Sequence, residues 1–434
     1  MQPISPRYAI YAISILSVIN LVNQLDRNIL ASLLPLIKTE YTVSDQWIGL
    51  LGSSFIWVFM LSAMPFGYWA DRGKRATIIA GGLATWSAAT ALSGLVPSFA
   101  LLFACRALVG VGEAGYAAAA PSMIADYFPP LLRGRALSAY FLAAPLGAGL
   151  GFALGGWLGE AVGWRHAFLY AAAPGLLLTV LAIMLREPRR GIHDSSDELH
   201  KVSMRQAVRR LVRIPTYLCL VAAGTLVTFA IGGVAVWMPT YLVRAYSMTL
   251  AQAGVLSGGM IMLGSLAGTL GGGAMAEWLA RRGSRNPMVH TVSSSLVVTA
   301  FVLPLFLALD STTLLAPVLF LTSLCIFWHI GPLNTLIANV TPPNLRGVAV
   351  SVQILTIHLL GDAFSPALIG GVSDSLQERG FSEAVALRSV LMVLLPVPVL
   401  LASVCAALAS RWAPADLARV VGARAALAPA APPR

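Results

Sequence analysis

Apolar stretches of about 20 residues recur along the chain, each long enough to cross a hydrocarbon core of about 30 Å as a helix. Twelve are predicted, near 9–36, 47–69, 76–96, 98–123, 136–159, 165–185, 216–243, 251–276, 287–309, 313–339, 348–372 and 386–410. Most are too long to be core helices of a soluble bundle, and polar residues gather between them. The pattern predicts an all-α membrane protein with twelve transmembrane helices. Composition agrees: 57% of the 434 residues are apolar and 11% are charged. A soluble domain is about 45–50% apolar and about 25% charged.

The net charge of +11 would suit a nucleic-acid partner if the basic residues formed one patch. They crowd instead into alternate loops, at 72–75, 133–135, 186–213, 281–285, Arg346 and the tail from Arg411. The intervening loops carry Glu40 and Asp45, Asp310, and Asp374, Glu378 and Glu383. That alternation is the positive-inside pattern, which puts both termini and the central loop in the cytoplasm. It predicts an integral membrane protein with no nucleic-acid partner, and the Ala- and Arg-rich composition suggests a bacterial one, of the inner membrane. The first apolar stretch far exceeds a signal h-region and lacks a cleavage pattern, so it is expected to remain as span 1. The four cysteines lie in four different spans, with neither disulfide nor zinc spacing.

The polar stretch Arg186 to Arg213 holds eight basic and four acidic residues and divides the spans six and six. The expected domains are an N-terminal bundle over 1–185, a linker over 186–214 and a C-terminal bundle over 215–411. A cytoplasmic tail, expected to be disordered, follows over 412–434. Within the linker, 203–213 is predicted as a short amphipathic surface helix. The halves repeat each other. Pro129-Pro130-Leu-Leu-Arg133-Gly134 matches Pro342-Pro343-Asn-Leu-Arg346-Gly347, and Gly67-x-x-x-Asp71 matches Gly273-x-x-x-Glu277. Two halves in the same orientation are the parallel repeats of major facilitator transporters, whose site lies between pseudo-symmetric six-helix bundles.

Gly67-Tyr-Trp-Ala-Asp71-Arg72-Gly73-Lys74-Arg75, between spans 2 and 3, resembles the signature loop of that superfamily. Gly67 would allow close helix contact, and Asp71 would face the positive end of a helix dipole. The resemblance makes that helix span 11, and makes the loop a cytoplasmic latch. Gating is therefore expected of Gly67, Asp71, Arg72 and Arg75, with Asp126 and, in the second copy, Glu277 and Arg281.

Buried charge carries the chemistry. Of 18 acids only Asp26, Glu113 and Asp362 lie well inside spans, and of 29 basic residues only Arg27 and Arg106. Each would cost about 2.5–3.5 kcal/mol at the bilayer centre. They must face a wet cavity, pair with one another, or both. Asn23 extends the polar face of span 1, and Arg106 and Glu113 share a face of span 4, about 10 Å apart. Burial and neighbouring guanidinium groups act in opposite senses on a carboxyl, so small movements of Arg27 and Arg106 would switch protonation of Glu113 and Asp26. His358, Asp362 and Ser365 form a polar stripe on span 11. It offers a metal two ligands and no third, so it is read as cavity lining. His329 is read as a core histidine. The glycines of Ala144-Pro145-Leu-Gly147-Ala-Gly149-Leu-Gly151 allow close helix contact and resemble the span 5 motif of major facilitator exporters.

Several segments resemble the Spinster family of lipid transporters. They are Asn23-Gln-Leu-Asp26-Arg27, Gly110-Val-Gly112-Glu113-Ala114-Gly115-Tyr116, Ala120-Pro121-Ser-Met-Ile-Ala125-Asp126, Trp237-Met-Pro239, Asn286-Pro287-Met-Val289, and His358-Leu-Leu-Gly361-Asp362-Ala-Phe-Ser365-Pro366 with Gly370-Gly371-Val-Ser-Asp374. Gly115 departs from the pattern, where a small polar residue is expected. The resemblance implies a central polar site of Asp26, Arg27, Arg106 and Glu113. It implies export of lysophospholipid or sphingosine phosphate, with protons taken up at Asp26 and Glu113. Arg27, Arg106, Asn23, His358 and Asp362 would meet the cargo. A symporter of small organic anions and a multidrug exporter share the fold and remain as alternatives. An intramembrane enzyme is disfavoured, because no G-x-S-x-G or HExxH motif appears. The expected partners are an amphipathic lipid, protons and the membrane, around a monomer with no cofactor and no metal.

Overall fold

The computed structural model describes residues 5–190 and 204–427, with side chains to 420, and the described chain is helical nearly throughout. In lipid no water satisfies backbone N–H and C=O groups, so a helix, which pairs them internally, is the form an apolar span takes. The helices are Pro6–Tyr41 (α1), Asp45–Arg72 (α2), Arg75–Ser93 (α3), Phe99–Tyr127 (α4) and Pro130–Ile183 (α5). The short Met204–Leu211 (α6) precedes Pro215–Tyr246 (α7), Leu250–Arg281 (α8) and Pro287–Ala308 (α9). Leu315–Phe327 (α10) and Ile330–Val340 (α11) make one span, as do Arg346–Ile357 (α12) and Ser365–Glu378 (α13). Glu383–Leu394 (α14) and Pro396–Ala409 (α15) make the last, and Ala413–Leu427 (α16) follows it.

At 54 residues α5 would run about 81 Å, far beyond one bilayer crossing. It breaks at Gly163, whose φ of 81° is a left-handed conformation that glycine adopts without a Cβ clash. Residues 130–162 and 164–183 are therefore separate crossings. With that division, the eleven long apolar segments of the described residues supply the twelve expected spans.

The chain packs as two compact units. One comprises Met1–Ser196, Gly232–Met262 and Ala363–Leu391, and the other Asp197–Ile231, Leu263–Asp362 and Met392–Arg434. This grouping cuts across α7 and α8 and does not follow the linker. Its cause lies in backbone contacts within the first unit. A Cβ on Gly156 would collide with the Leu250 carbonyl oxygen, and one on Gly258 with that of Gly149, so α5 and α8 touch backbone to backbone there. The glycines of α5 make the close contacts their density implied.

Around the buried charges of the first unit, α1, α3 and α4 enclose a core that includes Leu16, Ile19, Leu83, Trp86 and Tyr116. Side-chain bonds to backbone carbonyls tie neighbouring spans: Tyr116 donates to Leu16 (2.8 Å), Asn20 to Tyr140 (3.0 Å) and Ser32 to Phe152 (2.8 Å). In the second unit Tyr217 donates to the Ala349 carbonyl (2.9 Å), and Gln353 donates to Asn334 (2.9 Å).

The amphipathic linker helix is present as α6, with Ala207 and Leu211 buried and Arg205, Arg209 and Arg210 exposed. Residues 191–203 of the central linker lie outside the described residues. Residues 428–434 of the tail lie outside the described residues, and over 413–427 the tail differs from expectation. Its alanines, the strongest helix formers, build α16 instead of a disordered segment. Asp416 in its first turn is buried and accepts from the Thr216 hydroxyl (2.7 Å) and backbone N–H (3.2 Å), which anchors the helix to the start of α7.

Candidate functional site

Four charges in the first unit form two pairs that differ in access. Arg106 on α4 points to α1, 3.6 Å from an Asp26 carboxylate oxygen, and donates to the Asp26 carbonyl (3.1 Å) and the Thr90 hydroxyl (3.3 Å). Thr90 donates in turn to the Asp26 carboxylate at 2.7–2.8 Å. Both charged side chains are sealed, at 1% exposure for Arg106 and 2% for Asp26. The guanidinium also lies 5.3 Å from the Phe168 ring. This pair is closed to solvent on every side.

Arg27 and Glu113 form the second pair, with Arg27 Nε donating to Glu113 Oε2. Glu113 is 1% exposed but Arg27 is 24% exposed, so the pair is reached from the arginine side. The Arg27 guanidinium lies over Phe55 (4.8 Å) and Phe59 (5.2 Å) on α2, a cation–π setting that leaves apolar surface around a positive charge. Three buried polar atoms of this region lack any hydrogen-bond partner among the described residues: Glu113 Oε1, Asn23 Nδ2 and Arg106 Nε. A buried acceptor or donor left unmade costs about 1–3 kcal/mol. Such atoms mark where a proton, water or ligand would be received.

At the α2–α3 end of the same unit, the expected latch residues separate. Arg75 is buried and donates to Asp126 (2.6 Å) and Glu187 (2.6 Å), while Glu187 also accepts from the Ala76 N–H (3.1 Å). Arg75 therefore binds its own helical neighbourhood, and it is not the partner of Asp71. Asp71 is exposed and makes no hydrogen bond or ion pair with any described residue. Arg72 stacks on Tyr68, 3.7 Å from the ring centroid. A Cβ on Gly67 would meet nothing within 4 Å, so the close contact expected there is not made.

The opposite end of this unit holds a cluster whose pairing the sequence did not reveal. Asp45, the first residue of α2, is fully buried and accepts from both Arg244 Nη atoms (2.9 and 2.7 Å), Lys38 (2.8 Å), Ser373 (3.0 Å) and Gln377 (2.9 Å). Glu383 bridges Lys38 (2.9 Å) and Arg244 (3.1 Å). The Asp374 carboxylate accepts from the backbone N–H groups of Asp45 and Gln46, both at 2.8 Å, and so caps α2 from α13. Nearby, Cβ atoms on Gly49 and Gly370 would strike the carbonyls of Pro366 and Asp45, so α2 and α13 lie in backbone contact.

In the second unit, His358 and Asp362 face each other, with Nδ1 2.9 and 3.0 Å from the carboxylate oxygens. The turn between them is wound as a π-helix, a form that is frequent at functional sites. Ser365, the third residue of the expected stripe, is buried, whereas His358 and Asp362 are partly exposed. No group of three metal-ligating side chains occurs among the described residues. His329 is buried with Nδ1 2.6 Å from the Ile326 carbonyl, a core histidine as read. Glu277 and Arg281 form an exposed ion pair on one helix face (2.6 Å).

The family model for the Major Facilitator Superfamily matches residues 16–366. Protein spinster homolog 1 of Xenopus laevis is 34% identical over 378 residues, which is 82% of this chain and 71% of that protein. The sphingosine-1-phosphate transporter SPNS2 of Xenopus tropicalis is 33% identical over 373 residues, covering 82% and 72%. Among solved structures, a bacterial homolog of the human lysosomal transporter Spinster, in an inward-facing and unoccupied conformation, aligns with a TM-score of 0.80 at 23% identity. That alignment covers 96% of this chain and 98% of the other. A D-xylose-proton symporter aligns over 92% and 97% with a TM-score of 0.72 at 15% identity. These two likenesses concern the fold.

Proposed function

This chain belongs to the major facilitator superfamily and, within it, to the Spinster family, and from that premise we propose that it carries an anionic single-chain lipid by alternating access, with cargo binding linked to protonation of Glu113. Spinster relatives are transporters, not enzymes, and one of them is named for sphingosine-1-phosphate. The observation that carries the reading is the Arg27–Glu113 pair: one accessible guanidinium, ringed by aromatic surface and held by a buried carboxylate with an unpartnered oxygen.

A guanidinium suits bidentate contact with phosphate, and the Phe55 and Phe59 rings suit an acyl chain beside it. Glu113 and a phosphate compete for Arg27. A neutral Glu113 releases the guanidinium to the cargo, and an ionised one reclaims it. Arg106 is spent on Asp26, so it positions α1 against α4 and is not the anion contact. Within the second unit, the His358–Asp362 pair is proposed as a polar contact for cargo. The sign of the linkage bears on direction. Cargo that binds together with a proton moves the way protons run, whereas export against an inward proton gradient requires each to expel the other.

Binding of lysophospholipid or sphingosine phosphate to purified protein tests the site. Arg27→Ala is expected to weaken it at least tenfold, the worth of a charge-assisted contact. Equal affinity in the variant would remove the assignment, and tighter binding of a short organic acid than of any lipid would favour the small-anion symporter.

The Asp45 cluster is proposed as the gate at the α1–α2 end, which the loop charges orient away from the cytoplasm. Asp45→Ala leaves Arg244 without its bidentate partner and removes five accepted bonds at once. A cysteine placed at Asn23 in that variant should then react with a membrane-impermeant thiol reagent from the α1–α2 side faster than in wild type. Identical labelling rates would show that the cluster does not control access.

A further inference from the structure

A groove of about 530 Å³ runs along the outside of the first unit, separate from the paired charges. Phe66 and Trp69 of α2 form one wall and Thr77, Ile78, Gly81 and Thr85 of α3 the other, with Lys74 at the mouth. Gly81 creates the space, since a Cβ there would meet nothing within 4 Å. The depths are apolar, because the Thr85 hydroxyl is satisfied by the Gly81 carbonyl (2.8 Å). From Lys74 to Thr85 is eleven residues, about 16 Å of rise, which matches one leaflet of a hydrocarbon core about 30 Å thick.

The mouth carries a net positive charge. Lys74 is exposed and has no hydrogen bond or ion pair with any described residue. Arg75 lies between Asp126 and Glu187, whose second negative charge stands against Arg190, a donor to the Ala70 and Gly73 carbonyls, and Glu187 already occupies the N-terminus of α3. Asp71 is the neighbouring acid, and Arg72 beside it offsets its charge. The floor is shut, because Gly82 of α3 and Gly112 of α4 meet backbone to backbone, each leaving no room for a Cβ against the other's carbonyl oxygen. The groove therefore does not lead to Glu113, although Gly112 lines it.

We propose that this groove is a binding site for a resident anionic diacyl phospholipid of the adjoining leaflet, one acyl chain lying along α3 and the phosphate on Lys74. The site is independent of the transport reading, and its occupant is membrane lipid rather than cargo.

Native mass spectrometry of the full-length protein in detergent tests it, with dioleoylphosphatidylglycerol against dioleoylphosphatidylcholine. Wild type is expected to retain the anionic lipid about five-fold more, the effect of one interfacial lysine. Lys74→Gln should bring it to the level of the zwitterionic one, and Gly81→Phe, which fills the groove, should lose both. Equal retention of the two lipids by wild type would overturn the proposal, as would an unchanged preference in Lys74→Gln. Loss of the anionic lipid in Arg27→Ala, or its displacement by excess lysophosphatidylglycerol, would assign it to the central site and overturn the proposal as well.

Discussion

Glu113→Gln is expected to abolish transport driven by a pH gradient while leaving cargo binding in place. Glutamine keeps the size of the side chain and a carbonyl oxygen that can accept from Arg27, but it does not ionise. The exchange of Arg27 between carboxylate and cargo then has no proton to govern it. The guanidinium loses its charged competitor, so affinity for an anionic lipid should hold or rise and should cease to vary with pH. Two readouts on reconstituted protein are needed: uptake into vesicles with and without an imposed gradient, and equilibrium binding across pH. Gradient-driven transport at the wild-type rate would sink the role given to Glu113. Loss of binding together with transport would indicate a structural defect instead of broken linkage.

Arg106→Ala should cut stability by about 3–5 kcal/mol, the usual result of stripping one partner from a buried ion pair. Asp26 would remain in a sealed site with only Thr90 to bond its carboxylate. The defect belongs to the uncompensated charge and not to lost contact area, so adding Asp26→Asn should recover much of it. Thermal unfolding in detergent of the two single variants and the double variant checks this. If the double variant were destabilised by the sum of the singles, the two residues would not be acting as a pair. The same experiment separates Arg106 from Arg27, whose removal should weaken cargo binding and cost less stability.

The spans and their order were legible because lipid leaves so few choices: long apolar runs, with charge between them, have one helical solution. The paired charges were legible for the same reason, since Asp26, Arg27, Arg106 and Glu113 are conspicuous where charge is expensive. Which arginine holds which acid was not legible. Asn23, Asp26 and Arg27 lie within a turn of one another, and the choice turns on Thr90, an ordinary residue in a run of small ones. The Asp45 cluster was hidden differently. Asp45 and Glu383 look like loop acids, and apart from Lys38, seven residues from Asp45, their partners lie about 140 to 350 residues away in the chain. Asp374 was noticed in a motif, but a carboxylate that caps another helix has no local signature. The tail from 412 looks disordered because it is rich in Ala, Pro and Arg, yet the propensity of its alanines favours the helix found over 413–427.

The paired charges have an electrical consequence. Asp26, Arg27, Arg106 and Glu113 sum to zero when all are ionised, so the empty carrier moves no net charge at this site through the membrane field. A proton on Glu113 makes the sum +1, and a monoanionic lipid on Arg27 returns it to zero. In the proposed cycle both reorienting forms are thus electroneutral at the site. A form carrying one uncompensated charge would feel about 2.3 kcal/mol per 100 mV. Membrane voltage should therefore exert little pull on turnover, and clamping the potential with potassium and valinomycin should change the rate far less than collapsing the pH gradient does.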